Sequence, residues 1–238
     1  MGSGKLPEPE VLLDCIAREL AREKTLAGVH VTVTAGPTQE ALDPVRYLTN
    51  HSSGRMGYAI AREAALRGAE VTLISGPTAL QPPMGVQFRP VVSAQDMLEA
   101  VQDTLPETDI LIKAAAVADY RPATVSEHKM KKSDGELSIP LSRTEDILHW
   151  VAEHRHPGLF VCGFSMETRG LIENSRAKLE KKHLDMIAAN SLNTEGAGFG
   201  VPTNVVTLLT PDCAEQLPLL GKDEVAARLL DAIEARRK

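Results

Sequence analysis

Asn50, Ser52, Ser53, Gly54 and Gly57 fall within one short run, Asp43-Pro-Val-Arg-Tyr-Leu-Thr-Asn-His-Ser-Ser-Gly-Arg-Met-Gly57. An amide and two hydroxyls supply hydrogen bonds, and glycines let a backbone approach a ligand closely. The run follows a β-type stretch, Val29–Thr34, and the turn Ala35-Gly36-Pro37-Thr38. It leads into the helical pattern Tyr58–Arg67, and a second strand, Val71–Ile74, closes the unit. Strand, polar loop, helix and strand form one βαβ crossover. The helix start in such a unit carries free N–H groups and partial positive charge, a setting for phosphate. An ordinary βα loop capped by Ser and Gly has the same composition. A dinucleotide fingerprint is absent: there is no G-x-G-x-x-G after the strand, and the second strand ends in Ser75-Gly76-Pro77 rather than an acid. A Walker A loop is absent too.

Three further places can carry chemistry. Ala114-Ala-Ala-Val-Ala-Asp-Tyr120 follows a buried strand with almost no side-chain bulk. Such a stretch leaves backbone groups open to a flat ligand such as a base; tight helix packing would use the same residues. Asp119 suits a magnesium ion, a ribose hydroxyl or a turn cap, since Mg²⁺ takes one or two carboxylates plus phosphate oxygens. Lys129, Lys131 and Lys132 beside a Ser-Asp-Gly turn read either as a solvated face or as a cationic flap over phosphates. Lys178 and Lys182, four apart, share a helix face that Glu180 does not reach. That face can grip a triphosphate or be plain surface.

Other chemistries find no support. The histidines show no H-E-x-x-H, and Ser52-Ser53 lacks the G-x-S-x-G elbow of a hydrolase. Cys15, Cys162 and Cys213 have no C-x-x-C spacing, which argues against a disulfide framework or zinc site and for a reducing cytoplasm. Cys162, in Leu159-Phe-Val-Cys-Gly163, reads as a small core residue.

The 238 residues can bury a sizeable core. A net charge of −6 argues against a broad nucleic-acid surface, and no apolar run approaches a membrane span. Residues 1–24 read as a lead-in and an amphipathic helix from Glu10 to Lys24; residues 25–238 read as the main domain. Beyond the first unit, strands are expected at Val86–Val92, Asp109–Ala116, Glu136–Leu141, Leu159–Gly163, Asp185–Ala189 and Val205–Leu209. Helices are expected at Gln95–Leu105, with Ser93 as cap, and at Asp146–His154, Arg169–Lys182 and Lys222–Arg236. Ser191–Asn204 is Gly-rich and reads as a loop. Alternating strands and helices predict an α/β fold with a doubly wound, mainly parallel Rossmann-like sheet, which binds ligands at the carboxyl ends of its strands.

Val33-Thr-Ala-Gly-Pro-Thr-Gln-Glu40, Asp43-Pro-Val-Arg46, Asn50–Gly57, Ala115–Tyr120, Lys129-Met-Lys-Lys132 and Gly163-Phe164 together resemble the bacterial phosphopantothenoylcysteine synthetases, in order over nearly the whole chain. The resemblance implies a CTP-dependent ligase of coenzyme A synthesis that joins 4′-phosphopantothenate to L-cysteine through an acyl-cytidylate. It implies Mg²⁺, a homodimer with a small dimerisation subregion and, because Lys5–Glu10 looks like an interdomain linker, a flavin-dependent decarboxylase domain in bifunctional relatives. By resemblance, Ala114, Ala115, Ala116 and Phe164 frame the cytosine. Asp119, with Asp146 and Ile147, belongs to the nucleotide pocket and Asp119 to the metal. Lys129, Lys178 and Lys182 hold the triphosphate. Asn50 contacts the activated carbonyl, Ser52 lies with it at the phosphopantothenate, and Arg46 binds that substrate's phosphate, across a dimer interface. Relatives carry Asn-Pro-Asp-Ile where this chain reads Thr144-Glu-Asp-Ile147. A nicotinamide oxidoreductase or a non-catalytic nucleotide-binding module on the same fold are the alternative readings.

Overall fold

The computed structural model describes residue 6 and residues 9–20, 23–131, 137–167, 170–191 and 201–237. The first half of the chain forms α1 (Pro9–Leu20), β1 (His30–Ala35), β2 (Gln39–Ala41), β3 (Tyr47–Thr49), α2 (Arg55–Leu66), β4 (Glu70–Ser75), β5 (Val86–Pro90) and α3 (Ala94–Thr104). The second half continues with β6 (Ile110–Lys113), β7 (Tyr120–Pro122), β8 (Leu141–Arg143), α4 (Ile147–His154), β9 (Phe160–Glu167), α5 (Leu171–Lys181) and β10 (Met186–Ser191). It ends in β11 (Thr203–Asn204), β12 (Val206–Leu209), β13 (Ala214–Gln216), β14 (Leu220–Gly221) and α6 (Lys222–Glu234). Lys132 and most of the Gly-rich stretch, residues 192–200, lie outside the described residues.

The main sheet has the order β13-β12-β10-β9-β6-β1-β4-β5. From β10 to β5 every pairing is parallel. The Val205–Leu209 strand departs from an all-parallel reading: as β12 it runs antiparallel to β10, and β13 runs antiparallel to it. A tight turn causes the second reversal, with the Thr210 amide donating to the Cys213 carbonyl at 2.9 Å.

Strand residues alternate between two cores, as they must in a sheet covered on both faces. Val31, Val33, Ile110 and Ile112 pack with α2 and α6 through Ile60, Leu229 and Leu230. Leu111 and Ile187 pack on the other face with α3, α4 and α5 through Leu98, Val151 and Leu179. Cys162 is fully buried, and desolvation pushes its thiol up to about 12, so it is a core residue. Helix α2 lies close on β1 because Gly57 has no side chain; a Cβ there would sit 2.6 Å from the Ala35 Cβ. Arg67 ties α2 to α6: its guanidinium meets Glu63 at 3.0 Å, Asp231 at 2.8 Å and Glu234 at 2.7 Å.

Two small sheets were not anticipated as such. The stretch read as a polar loop before α2 contains the β2–β3 hairpin, and β7 pairs with β8. Strands of three residues show too little alternation to register in sequence. The expected Glu136–Leu141 strand begins at Leu141 among the described residues, and α2 begins three residues before the expected Tyr58. Helix α1 is described over Pro9–Leu20, and Glu23 and Lys24, expected at its end, are not helical. Val45, Tyr47, Tyr120, Val125 and Leu141, on or beside these small sheets, are exposed. Among the described residues no helix is long and apolar enough to cross a membrane.

Candidate functional site

Two crevices flank the end of β6. The first is lined by residues 52–57, 114–116 and 164–166 with Asn190, Asn204 and Lys222. Its floor is the start of α2. No serine caps it: the N-cap is Gly54, left-handed at φ 75°, with no side-chain cap hydrogen bond. The first-turn N–H groups of α2 therefore face the crevice without a side-chain acceptor, as an anion site requires. Ser52 Oγ accepts from the Gly54 amide at 3.3 Å and so shapes the approach to the helix.

The second crevice is lined by Lys113, residues 117–120, residues 143–148, Lys178, Lys181 and Lys182. Lys178 on α5 and Lys182, the cap that ends α5, come together in this crevice. Asp146 is the N-cap of α4, accepting from the His149 amide at 3.1 Å, and Lys182 pairs with it. Burial pushes the Asp146 carboxyl up, but the Lys182 ammonium and the His149 amide outweigh it and hold it below its ordinary range. Asp119 is exposed on the rim, and its carboxylate has no hydrogen-bond or ion-pair partner among the described residues.

The expected nucleotide set is thus divided. Ala114, Ala115, Ala116 and Phe164 share the first crevice; Asp119, Asp146, Ile147, Lys178 and Lys182 share the second. The chain itself bridges them. Lys178 Nζ reaches the Phe164 carbonyl at 3.5 Å. Asn50 Nδ2 donates to the Ala116 and Val117 carbonyls at 3.3 and 3.1 Å, which fixes Asn50 on the ridge between the crevices. Thr38 holds the same ridge, its hydroxyl accepting from the Ala118 amide at 3.0 Å.

Arg46 and Lys129 line neither crevice. Arg46 NH2 meets Asp43 at 2.5 Å and the Met130 carbonyl at 2.8 Å, and Asp43 also accepts from the Met130 amide at 3.1 Å. The Arg46 guanidinium holds the Asp43 carboxyl far below the usual carboxylate range. This pair anchors the base of the segment that carries the exposed Lys129. Thr144, where the chain departs from the expected motif, has a structural task. Its hydroxyl donates to the Ala118 carbonyl at 2.6 Å and its amide to the Asp119 carbonyl at 3.1 Å.

Sequence reading did not single out Lys113, Arg143, Lys181 or Lys222. Lys113 left one signal, a charge closing the buried run Ile110-Leu-Ile112. The others became site residues only when folding brought their elements together.

These features define a doubly wound α/β protein that gathers anion-binding groups on both sides of one strand end. The chain belongs to the family described as the DNA/pantothenate metabolism flavoprotein C-terminal domain, which matches residues 26–236. It is similar to the coenzyme A biosynthesis bifunctional protein CoaBC of Bacillus subtilis, 46% identical over all of this chain and 59% of that protein's length. It is also similar to the protein of that name from Vibrio vulnificus, 43% identical over 98% of this chain and again 59% of the relative. The chain thus spans less than two thirds of these relatives. The crystal structure of the C-terminal domain of CoaBC superposes with a TM-score of 0.77 at 44% identity, covering 90% of this chain and 97% of that one.

Proposed function

We propose that the chain carries the phosphopantothenate–cysteine ligase activity of coenzyme A biosynthesis, using CTP. The observation that supports it best is the ridge of residues 114–117 with Asn50 on its crest, because a two-substrate acyl activation needs an acid site and a polyphosphate site that meet. In this reading the anionic head of phosphopantothenate sits on the bare start of α2 near Ser52. The triphosphate of CTP lies along Lys178 and Lys182, and Lys129 closes over it from the anchored segment. Arg46 contributes by setting that anchor, and its partly exposed guanidinium remains within reach of a second subunit.

The carboxylate oxygen of phosphopantothenate attacks the α-phosphorus of CTP. The bond to the β-phosphate breaks and pyrophosphate leaves. Two anions must approach, so the lysines stabilise the transition state by offsetting charge. Asp119 fits a magnesium ion, being a carboxylate beside the lysines that no described cation neutralises; such an ion would screen the phosphate oxygens. The cysteine amine then attacks the acyl carbonyl, loses a proton and expels CMP. The face formed by Val45, Tyr47, Tyr120, Val125 and Leu141 supports a homodimer in this reading, since exposed apolar patches mark interfaces.

Pyrophosphate release tests the reading. With CTP, Mg²⁺ and phosphopantothenate, release should begin before cysteine is added and rise after it. CTP binding without pyrophosphate would leave only a nucleotide-binding module. Initial rates at equal subsaturating nucleotide should favour CTP over UTP and ATP, because buried backbone groups left unpaired by the wrong base discriminate strongly. Comparable rates with ATP would remove cytosine recognition and keep the ligase.

A further inference from the structure

We propose that Lys113 is a phosphate-binding residue of the crevice between α4 and α5, contacting the polyphosphate of a bound nucleotide from the floor of the site. The inference rests on the reading that a nucleoside triphosphate enters this crevice.

Lys113 is the last residue of β6, paired with Thr34 on one side and Gly163 on the other. It follows Leu111 on the face that packs toward α4 and α5, so its half-buried side chain lines the second crevice. The buried Arg67, by contrast, has Glu63, Asp231 and Glu234 around it. Lys113 has no hydrogen-bond or ion-pair partner among the described residues. The groups around it carry both signs, with cations the more numerous. Lys178, Lys181 and Lys182 approach from α5 and Arg143 from β8. Asp119, Glu145 and Asp146 are the acids of the same crevice, and Asp146 is already engaged by Lys182.

A half-buried ammonium without an acceptor is costly, and one among like charges more so. Burial, then the Lys178 charge, bring the Lys113 ammonium down to about 8 from 10.5. An apolar side chain would serve packing better at this position. What a lysine adds is a donor aimed into the crevice, effective once an anion arrives. A polyphosphate supplies several charges and fits an arc of lysines on one wall and the floor.

Lys113→Met tests this, with Lys113→Gln as a polar, uncharged repeat. Inorganic tripolyphosphate and CTP are titrated into each protein by calorimetry at pH 8. Both ligands should bind the variants about tenfold more weakly, the loss expected for one charge-assisted hydrogen bond. Wild-type binding of CTP should also take up a proton, approaching half a proton per site. At pH 8 about half of the Lys113 groups are neutral, an adjacent anion recharges them, and a phosphate with a second pKa near 6 releases almost none. The uptake should vanish in Lys113→Met. A merely structural lysine would not move this signal. Below pH 8 the unliganded Lys113→Met protein should melt at or above the wild-type temperature, because folding with a charged Lys113 is then the disfavoured state. That advantage should fade as pH rises from 8 toward 10.5. Tripolyphosphate affinity unchanged by both substitutions would overturn the proposal, whatever the enzyme does with CTP. Tripolyphosphate binding that depends on Lys113, with no CTP binding or pyrophosphate release, would keep the anion site and overturn the ligase reading.

Discussion

The two crevices lie on opposite sides of one strand end, yet they offer a ligand different groups. The crevice over α2 offers mainly backbone, with uncapped helix N–H groups, small residues and glycines, and only two cations, Arg55 and Lys222. The crevice between α4 and α5 relies on side-chain charge from five cations, Lys113, Arg143, Lys178, Lys181 and Lys182. Fixed dipoles suit a substrate held in one pose through both half-reactions. Long, mobile ammonium groups suit a polyphosphate whose charge is redistributed when a bond breaks. In the proposed reaction the sheet would keep the two substrates' anions apart everywhere except along the ridge of residues 114–117.

That contrast can be broken, most severely where charge must be offset in the transition state. Lys129→Gln should slow pyrophosphate release about a hundredfold, the effect of losing roughly 3 kcal/mol of barrier stabilisation. It should do so without weakening phosphopantothenate binding. Unchanged release would return Lys129 to the solvated surface.

Asn50→Asp strikes the ridge itself. It replaces a donor with an acceptor facing the Ala116 and Val117 carbonyls and repels charge on the acyl carbonyl. The second half-reaction should fall by about tenfold more than the first, so that acyl-cytidylate accumulates in quenched-flow samples. Turnover like wild type would separate Asn50 from the chemistry.

Paired substitutions sharpen the division of labour. Lys178→Met should raise the KM for CTP about tenfold, a charged hydrogen bond's worth, and leave the KM for phosphopantothenate unaltered. Ser52→Ala should do the reverse, by about threefold, as expected for a neutral hydrogen bond. Both variants raising both constants alike would mean that the crevices are one site.

The smallest effect is expected at Thr144. Thr144→Val removes the hydrogen bond to the Ala118 carbonyl and should cost about 1 kcal/mol of stability with little change in either KM. Chemical denaturation measures it; a large kinetic effect would give Thr144 a role at the nucleotide.

Much of this was legible in the residues. Strand and helix alternation gave the doubly wound fold, since a strand buried on both faces reads as an apolar run and a surface helix as a periodic one. Ser93 was recognisable as a cap, and the structure has it in a capping box with Asp96. The start of α2 and the Lys178–Lys182 face were visible because each is local, set by spacing within one element. The small hairpins were illegible because three residues carry too little pattern.

Periodicity and spacing along the chain are enough to set the elements and the loops at their ends. Tertiary structure decided how the candidate residues are shared out. Ala114 and Lys113 are neighbours in the chain, yet a strand sends successive side chains to opposite faces, so they serve different crevices. Arg46 carries no mark of its task until folding brings Met130 against Asp43. Lys113 looks like any strand-end lysine until α5 brings Lys178 and Lys182 beside it. Charge and burial act through space, and distances between elements are fixed only when the two cores close on the sheet.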